Sequence, residues 1–385
     1  MPQPKDTRRA FSLLLLDRMG APFMKHPPLL VILTAATLVT AAAGGAALAQ
    51  GDQVVGPSPS YHLVHTTRLG APDRWDYVVY DGASHRVYVS HGDRVTVVNG
   101  RTGKLIGQVT GMPGGTHGIA ISHPANLGYT DDGRVGQAVA FNLTTLKVVK
   151  RLKADDDADA VTIDPTSGHV FVVDGDPGEL TVVDPKTDDV IATVHAGSKL
   201  EYAVAGDDGK IYANGVEKRV IYRIDTSTNQ VDATWPISQC DAPHGLAIDT
   251  VTHRLFSSCE NQMLAVVNAD TGAVVTTVPI GRGTDAAAFD PAHKLVFSSN
   301  GVDGTVTMIR EVNADTFVPA GTLKTMLSAR TMSVDPQTGR LYVVGAKTTP
   351  AAMAAFQAAR SAGKRSTRSP FKPGSLQLMM FDPGQ

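Results

Sequence analysis

Residues 159–184 read DAVTIDPTSGHVFVVDGDPGELTVVD. A short apolar run leads into an Asp-Pro turn, then an apolar run carrying Phe171, a Gly-containing turn and a Val-rich run. Val, Ile and Phe favour extended chain while Asp, Gly and Pro interrupt it, so the stretch predicts three short strands joined by tight turns. The pattern recurs at 76–99 (DYVVYDGASHRVYVSHGDRVTVVN), 244–268 (HGLAIDTVTHRLFSSCENQMLAVVN) and 285–310 (DAAAFDPAHKLVFSSNGVDGTVTMIR). A T-G type turn and a last strand such as AVVTTVPI complete each unit.

Four strands every 42 residues or so is the signature of propeller blades. Six complete units start near residues 74, 115, 157, 199, 242 and 283. A seventh, starting near 328, runs through ARTMSVDPQTGRLYVVG and SLQLMMFD and reaches Gln385 without a fourth strand. YHLVHTTRL, 61–69, precedes the first unit and supplies one. The expectation is therefore an all-β, seven-bladed β-propeller over 61–385, its N-terminal strand completing the last blade and removing an open sheet edge. Eight blades is the alternative count.

RVYVSHGDRVTVVN, RLFSSCENQMLAVVN and RLYVVG resemble the YVTN-repeat β-propellers, specifically the secreted YncE-like proteins. The likeness covers essentially the whole of 61–385. For function it implies binding or scaffolding. Units two (NLGYTDDGRVGQAVAFN) and four (KIYANGVEKRVIYRID) depart from the pattern at the aromatic strand.

One position of the repeat stands out. Counting back five residues from the turn Asp or its equivalent (81, 122, 164, 206, 249, 290, 335) gives Asp76, His117, Asp159, Glu201, His244, Asp285 and Arg330. All seven are ionisable, and each is followed at once by the innermost strand of its blade. Propeller topology puts such positions in one ring around the channel mouth. Carboxylates with imidazoles are the ligand types of a divalent-metal or small-polar-molecule site. Arg330 suits a carboxylate or phosphate, or pairs instead with Asp285 or Asp76. A solvated ring with no ligand is the competing reading, and a ring of seven is wide enough that only neighbours would share one ion.

A second set lies three residues past each blade's aromatic: His91, Asp132, Asp174, Gly215, Cys259, Asn300 and Gly345. Most suit turns; His91 is the one kept as an outer candidate behind the ring. Cys240 and Cys259 are the only cysteines. Hairpin pairing of 244–249 with 254–259 brings both to one face of the fifth blade, which predicts a disulfide tethering the loop before His244.

Between RLYVVG and SLQLMMFD lies a long insertion, 346–374. AAMAAFQAAR predicts two or three helical turns after Pro350. The rest is basic: Arg360, Lys364, Arg365, Arg368 and Lys372, with Phe356 and Phe371 nearby. It leaves on the face of the ring, so it is either a basic lid, a grip for nucleic acid or another anionic surface, or a solvated loop.

The first 49 residues read as an export signal, its start at Met1 or at Met24: MKHPPLLVILTAATLVTAAAGGAALAQ has a basic start, an apolar run and Ala47-Leu48-Ala49 before Gln50. A short linker, 50–60, comes next. TRRAF (7–11) has the look of a twin-arginine signal, though Asp17 and Arg18 interrupt the apolar run behind it, and an uncleaved anchor is the other outcome. After cleavage no membrane span is expected, and the destination is the periplasm or the exterior. The remaining chain carries 30 basic and 35 acidic residues, which argues against wholesale DNA binding through its general field. No nucleophile elbow, P-loop, HExxH or dinucleotide fingerprint is present. The reading is thus an exported monomer that binds a small polar ligand or an unknown protein partner at the channel mouth. The alternatives are a metal-assisted lactonase- or lyase-like enzyme and a polyanion-binding module working through 360–372.

Overall fold

The computed structural model of the chain describes residues 59–362 and 369–384. The export-signal reading, most of the linker, and Lys364, Arg365 and Arg368 of the basic loop fall outside the described residues.

The turn aspartates set the first corner of most blades. Asp164 accepts hydrogen bonds from the backbone N–H groups of Thr166 (3.1 Å) and Ser167 (2.9 Å). Asp81, Asp249, Asp290 and Asp335 do the same for the residue two positions on. Four residues past each Asp the chain turns left-handed, at His85, Gly168, His253, Lys294 and Gly339, with φ between +52° and +78°. The side chain thus substitutes for a backbone partner and fixes where the first strand stops.

The strands assemble into seven four-stranded antiparallel sheets. Their innermost strands are Val78–Asp81, Ile119–Ser122, Ala158–Ile163, Leu200–Ala205, Pro243–Asp249, Thr284–Asp290 and Thr331–Val334, in blades 1 to 7. The core lies between blades. Each second strand contributes one aromatic, Tyr88, Tyr129, Phe171, Tyr212, Phe256, Phe297 or Tyr342, and all seven are buried. Burying such a ring contributes roughly 1.5–3 kcal/mol, so this one repeat position is a main source of cohesion between neighbours. Units two and four keep their aromatic despite their divergent sequences.

Blade 7 closes as expected. Tyr61–Arg68 pairs antiparallel with Gln377–Pro383 and forms the outer strand of the sheet whose inner strand is Thr331–Val334. Asp73 fastens the following loop by accepting from the backbone N–H groups of Ser375 (2.6 Å) and Leu376 (2.8 Å). Across the seam Tyr342 stacks on Tyr80, centroids 4.9 Å apart, and its hydroxyl donates to Gly100 O.

The insertion contains one helix, Pro350–Ser361, somewhat longer than the sequence predicts. Thr349 caps it, its hydroxyl accepting from the N–H of Ala352, and Pro350 sits where no N–H is needed. Phe371, 6.4 Å from Phe356 of this helix, packs 4.9 Å from Trp75. The described part of the insertion therefore lies on the face that carries Asp76. Among the described residues no helix is long and apolar enough to cross a membrane.

Candidate functional site

The seven repeat-derived residues do converge, and they do so as two trios and a bridge. Asp76, His117 and Asp159, from blades 1 to 3, bring one potential ligand atom each within 4.8 Å of one another. Glu201, His244 and Asp285, from blades 4 to 6, do the same. Blade 7 supplies Arg330, whose Nε donates to Asp285 while its Nη2 lies 3.7 Å from Asp76. The order round the ring is acid, His, acid, twice over, then Arg.

Local backbone irregularity aims these side chains. Asp159, Glu201, His244 and Asp285 all fall where the pairing of first and second strands slips. Such a bulge leaves the extra residue unpaired and re-aims its side chain. A glycine follows each histidine. A Cβ on Gly118 would meet Val161 N at 2.1 Å, and one on Gly245 would meet Ala287 N at 2.3 Å. Only glycine lets the next blade come this close, and that approach sets His117 beside Asp159 and His244 beside Asp285.

A buried polar layer behind the ring holds it in place. Ser90 Oγ donates to His117 O, Asn214 Nδ2 to His244 O (2.8 Å), Ser299 Oγ to Arg330 O and Thr331 Oγ1 to Asp76 O (2.8 Å). Asp131, fully buried, accepts from the backbone N–H groups of His117 (2.9 Å) and Gly118 (2.7 Å) and from His117 Nδ1 (2.7 Å). Sequence reasoning missed this layer. Most of its members sit one residue before the second-strand ends, a position where the repeat also tolerates Val173 and Val344. The signal was the polar residue in a Val-rich strand.

The ring is neither buried nor freely solvated: side-chain exposure runs from 11% for His244 to 28% for Arg330. Burial pushes Asp76 up to about 6, opposed by Arg330 and reinforced by Asp285. Burial also lifts Asp159 well above the usual carboxylate range, with Glu201 adding to it and His117 opposing. At His117 burial disfavours the charged ring, but Asp131, Asp76 and Asp159 outweigh it and raise the pKa to about 10. His244 is likewise lifted well above its ordinary value against burial, by Glu201, Glu260 and Asp285. Each histidine is thus held by acids that favour its charged form.

Below the ring two aromatic side chains from different blades meet. Tyr77 of blade 1 and Tyr202 of blade 4 pack with ring centroids 4.4 Å apart. On the other side Tyr202 joins Val79, Ile121, Val161 and Ile163 around a recess of about 320 Å³. Beside the ring, Arg330, Met353, Phe356, Gln357 and Phe371 line a narrow crevice between blade 7 and the insertion.

The other candidates lie elsewhere. His91 is fully buried, bonded to Thr96 Oγ1 (2.9 Å) and Pro72 O (2.8 Å), and burial lowers its pKa. It anchors the loop before Trp75, behind the mouth. Asp132, Asp174 and Asn300 of the same set are buried latches too, bonding Gly114 N, Thr181 Oγ1 and Thr307 Oγ1. Cys240 and Cys259 form a disulfide with Cα atoms 5.2 Å apart. Lys372 is exposed and shares a recess of about 160 Å³ with Arg68 and Lys347, two cations that sequence reading did not connect to the basic loop.

No protein-family model matches the sequence, and no curated protein matches it. Solved structures do match in shape. A chain of Kuenenia stuttgartiensis hydrazine synthase superposes with a TM-score of 0.62 at 13% identity, over 74% of this chain and 96% of that one. A chain from the mitotic checkpoint complex superposes with a TM-score of 0.63 at 14% identity, over 87% and 96%. At such identities the likeness shows the fold alone. The chain is a seven-bladed β-propeller.

Proposed function

We propose that this is an exported binding propeller that takes a small polar ligand, or a polar segment of a protein partner, on the ring at its channel mouth. One observation carries the reading: all seven ionisable residues picked out by a single repeat position meet at one mouth, each aimed by a bulge, a glycine or a buried polar partner. Clustered ionisable groups with perturbed pKa values are a mark of functional sites. The Tyr77–Tyr202 pair below the ring favours entry and exit of a ligand on the ring face. The helical insertion forms a wall beside Arg330, which suits a lid. The apolar leader with its Ala-Leu-Ala end and the Cys240–Cys259 disulfide support export to the periplasm or the exterior, and the repeats support membership of the YVTN-repeat propellers.

The test is a thermal-shift panel of divalent cations, phosphate, dicarboxylates and charged peptides on the wild type and on the Glu201→Gln and Arg330→Ala variants. At least one probe is expected to stabilise the wild type and lose that effect in a ring variant. If every stabilising probe acts equally on all three proteins, the mouth is not the binding face.

A second reading, polyanion binding on the insertion side, draws on the recess that Lys372 shares with Arg68 and Lys347. It uses a different surface and separates from the first by its dependence on salt.

A further inference from the structure

We infer that the ring holds two divalent transition-metal ions, one on Asp76, His117 and Asp159 and the other on Glu201, His244 and Asp285. This rests on the mouth-binding reading and names what the mouth takes.

Each trio offers one imidazole and two carboxylates, with atoms already within 4.8 Å of one another. Three protein ligands leave further positions for water or a bound molecule, as in sites that act on a ligand rather than merely brace a fold. The imidazole selects zinc, manganese or cobalt over calcium and magnesium, which prefer all-oxygen sites.

Three observations set these trios apart from ordinary surface acids. The arrangement occurs twice, from consecutive blades in the same order, each histidine flanked by acids of the blades on either side. Each histidine also has a carboxylate outside its trio: Asp131 on Nδ1 of His117 (2.7 Å) and Glu260 on Nε2 of His244 (3.3 Å). Outer carboxylates of this kind orient metal-bound imidazoles and raise their basicity. Finally, among the described residues no group donates a hydrogen bond to the Asp159 carboxylate, whose nearest cation is His117 Nδ1 at 3.9 Å. With only 21% of its side chain exposed, that carboxylate has this one distant group to offset its charge. Where a further trio would abut, Arg330 takes its place and ties Asp285 to Asp76. A fixed cation between the two sites offsets the repulsion between their acids.

The experiment uses the whole protein, stripped with chelator and dialysed, and titrated calorimetrically with zinc and with manganese. Cobalt absorption reports imidazole and carboxylate coordination directly. The expected result is two ions per wild-type chain. His117→Gln and His244→Gln each retain one, the lost site weakened roughly a hundredfold or more, and the double variant retains none. Asp159→Asn is a second probe of the first trio that leaves its histidine in place, and circular dichroism verifies the folding of each variant. Absence of stoichiometric ion from the wild type, or two ions still bound in the folded double variant, overturns the inference. If the wild type takes no ion but a carboxylate or peptide still gives a shift that depends on Glu201 or Arg330, the ion inference alone falls. If ring substitutions change the response to no probe at all, both fall.

Discussion

Asp131 holds His117 at three points, accepting from its backbone N–H, from its Nδ1 and from the N–H of Gly118, while itself fully buried. This carboxylate sits on the second strand of blade 2 and fixes a residue on the loop entering the first strand. Removing it leaves two buried backbone donors and an imidazole without their acceptor. Asp131→Ala is expected to lower unfolding stability by roughly 3 kcal/mol, measured by denaturant titration. Since Asp131 is the main group raising His117, the histidine should also titrate lower in the variant, as followed by NMR. A variant as stable as the wild type would show that the pair is dispensable.

The Cys240–Cys259 bond closes a loop with a sequence separation of 19. Replacing both cysteines by serine is expected to cost about 3 kcal/mol on the chain-entropy account. The reduced wild type should match the variant in the same denaturant titration. Equal stability in the oxidised and reduced states would count against this.

Asp174 gives a pH signature distinct from the ring. Burial pushes its carboxyl up to about 6, against the hydrogen bonds from Thr181 and the Asp155 N–H. The folded form therefore holds a proton more tightly than the unfolded form, whose carboxyl titrates near its ordinary value of about 3.9. Stability from this group is greatest below pH 4, falls as pH rises towards 6, and stays low above it. Asp174→Asn removes that dependence. The stability of the variant relative to the wild type should rise by roughly 2–3 kcal/mol between pH 4 and pH 7; a constant difference would contradict the assignment.

Deleting 352–370 removes most of the helix and the basic run while leaving all seven sheets. The thermal midpoint should fall by only a few degrees, from loss of the Phe356 contact that backs Phe371 on Trp75. Salt-sensitive retention on an immobilised polyanion should weaken with the deletion and disappear once Arg68, Lys347 and Lys372 are replaced by alanine as well. Retention equal to that of the full chain would remove the second reading.

The blade count, the closure by 61–68 and the disulfide were all legible in the sequence, because each derives from repeat register. The seven ring positions came from the same register. Their grouping into trios did not, although acid–His–acid stands twice in the order of blades. What joins Asp76 to Asp159 across His117 is the close approach at Gly118, a backbone distance that no pattern of residue types reports. His91 misled for a related reason. It shares a repeat position with Asp132 and Asn300, and all three sit at strand ends, but the second strand buries its end residues and turns them into latches. Asp131 and Ser90 were hidden in apolar strands, where one polar residue reads as noise until its partner on the neighbouring loop is known.

Tyr61 pairs with Pro383, and Arg68 with Gln377. The earliest-made strand among the described residues is thus one of the last to find its place, since its neighbour is made only after the other six blades. Loop closure over so long a span is slow, and until it happens blade 7 presents a bare edge formed by Gln377–Pro383. A nascent or truncated chain is exposed to aggregation at that edge rather than anywhere within the other six sheets. In this protein the ring cannot close until Gln377–Pro383 has been made.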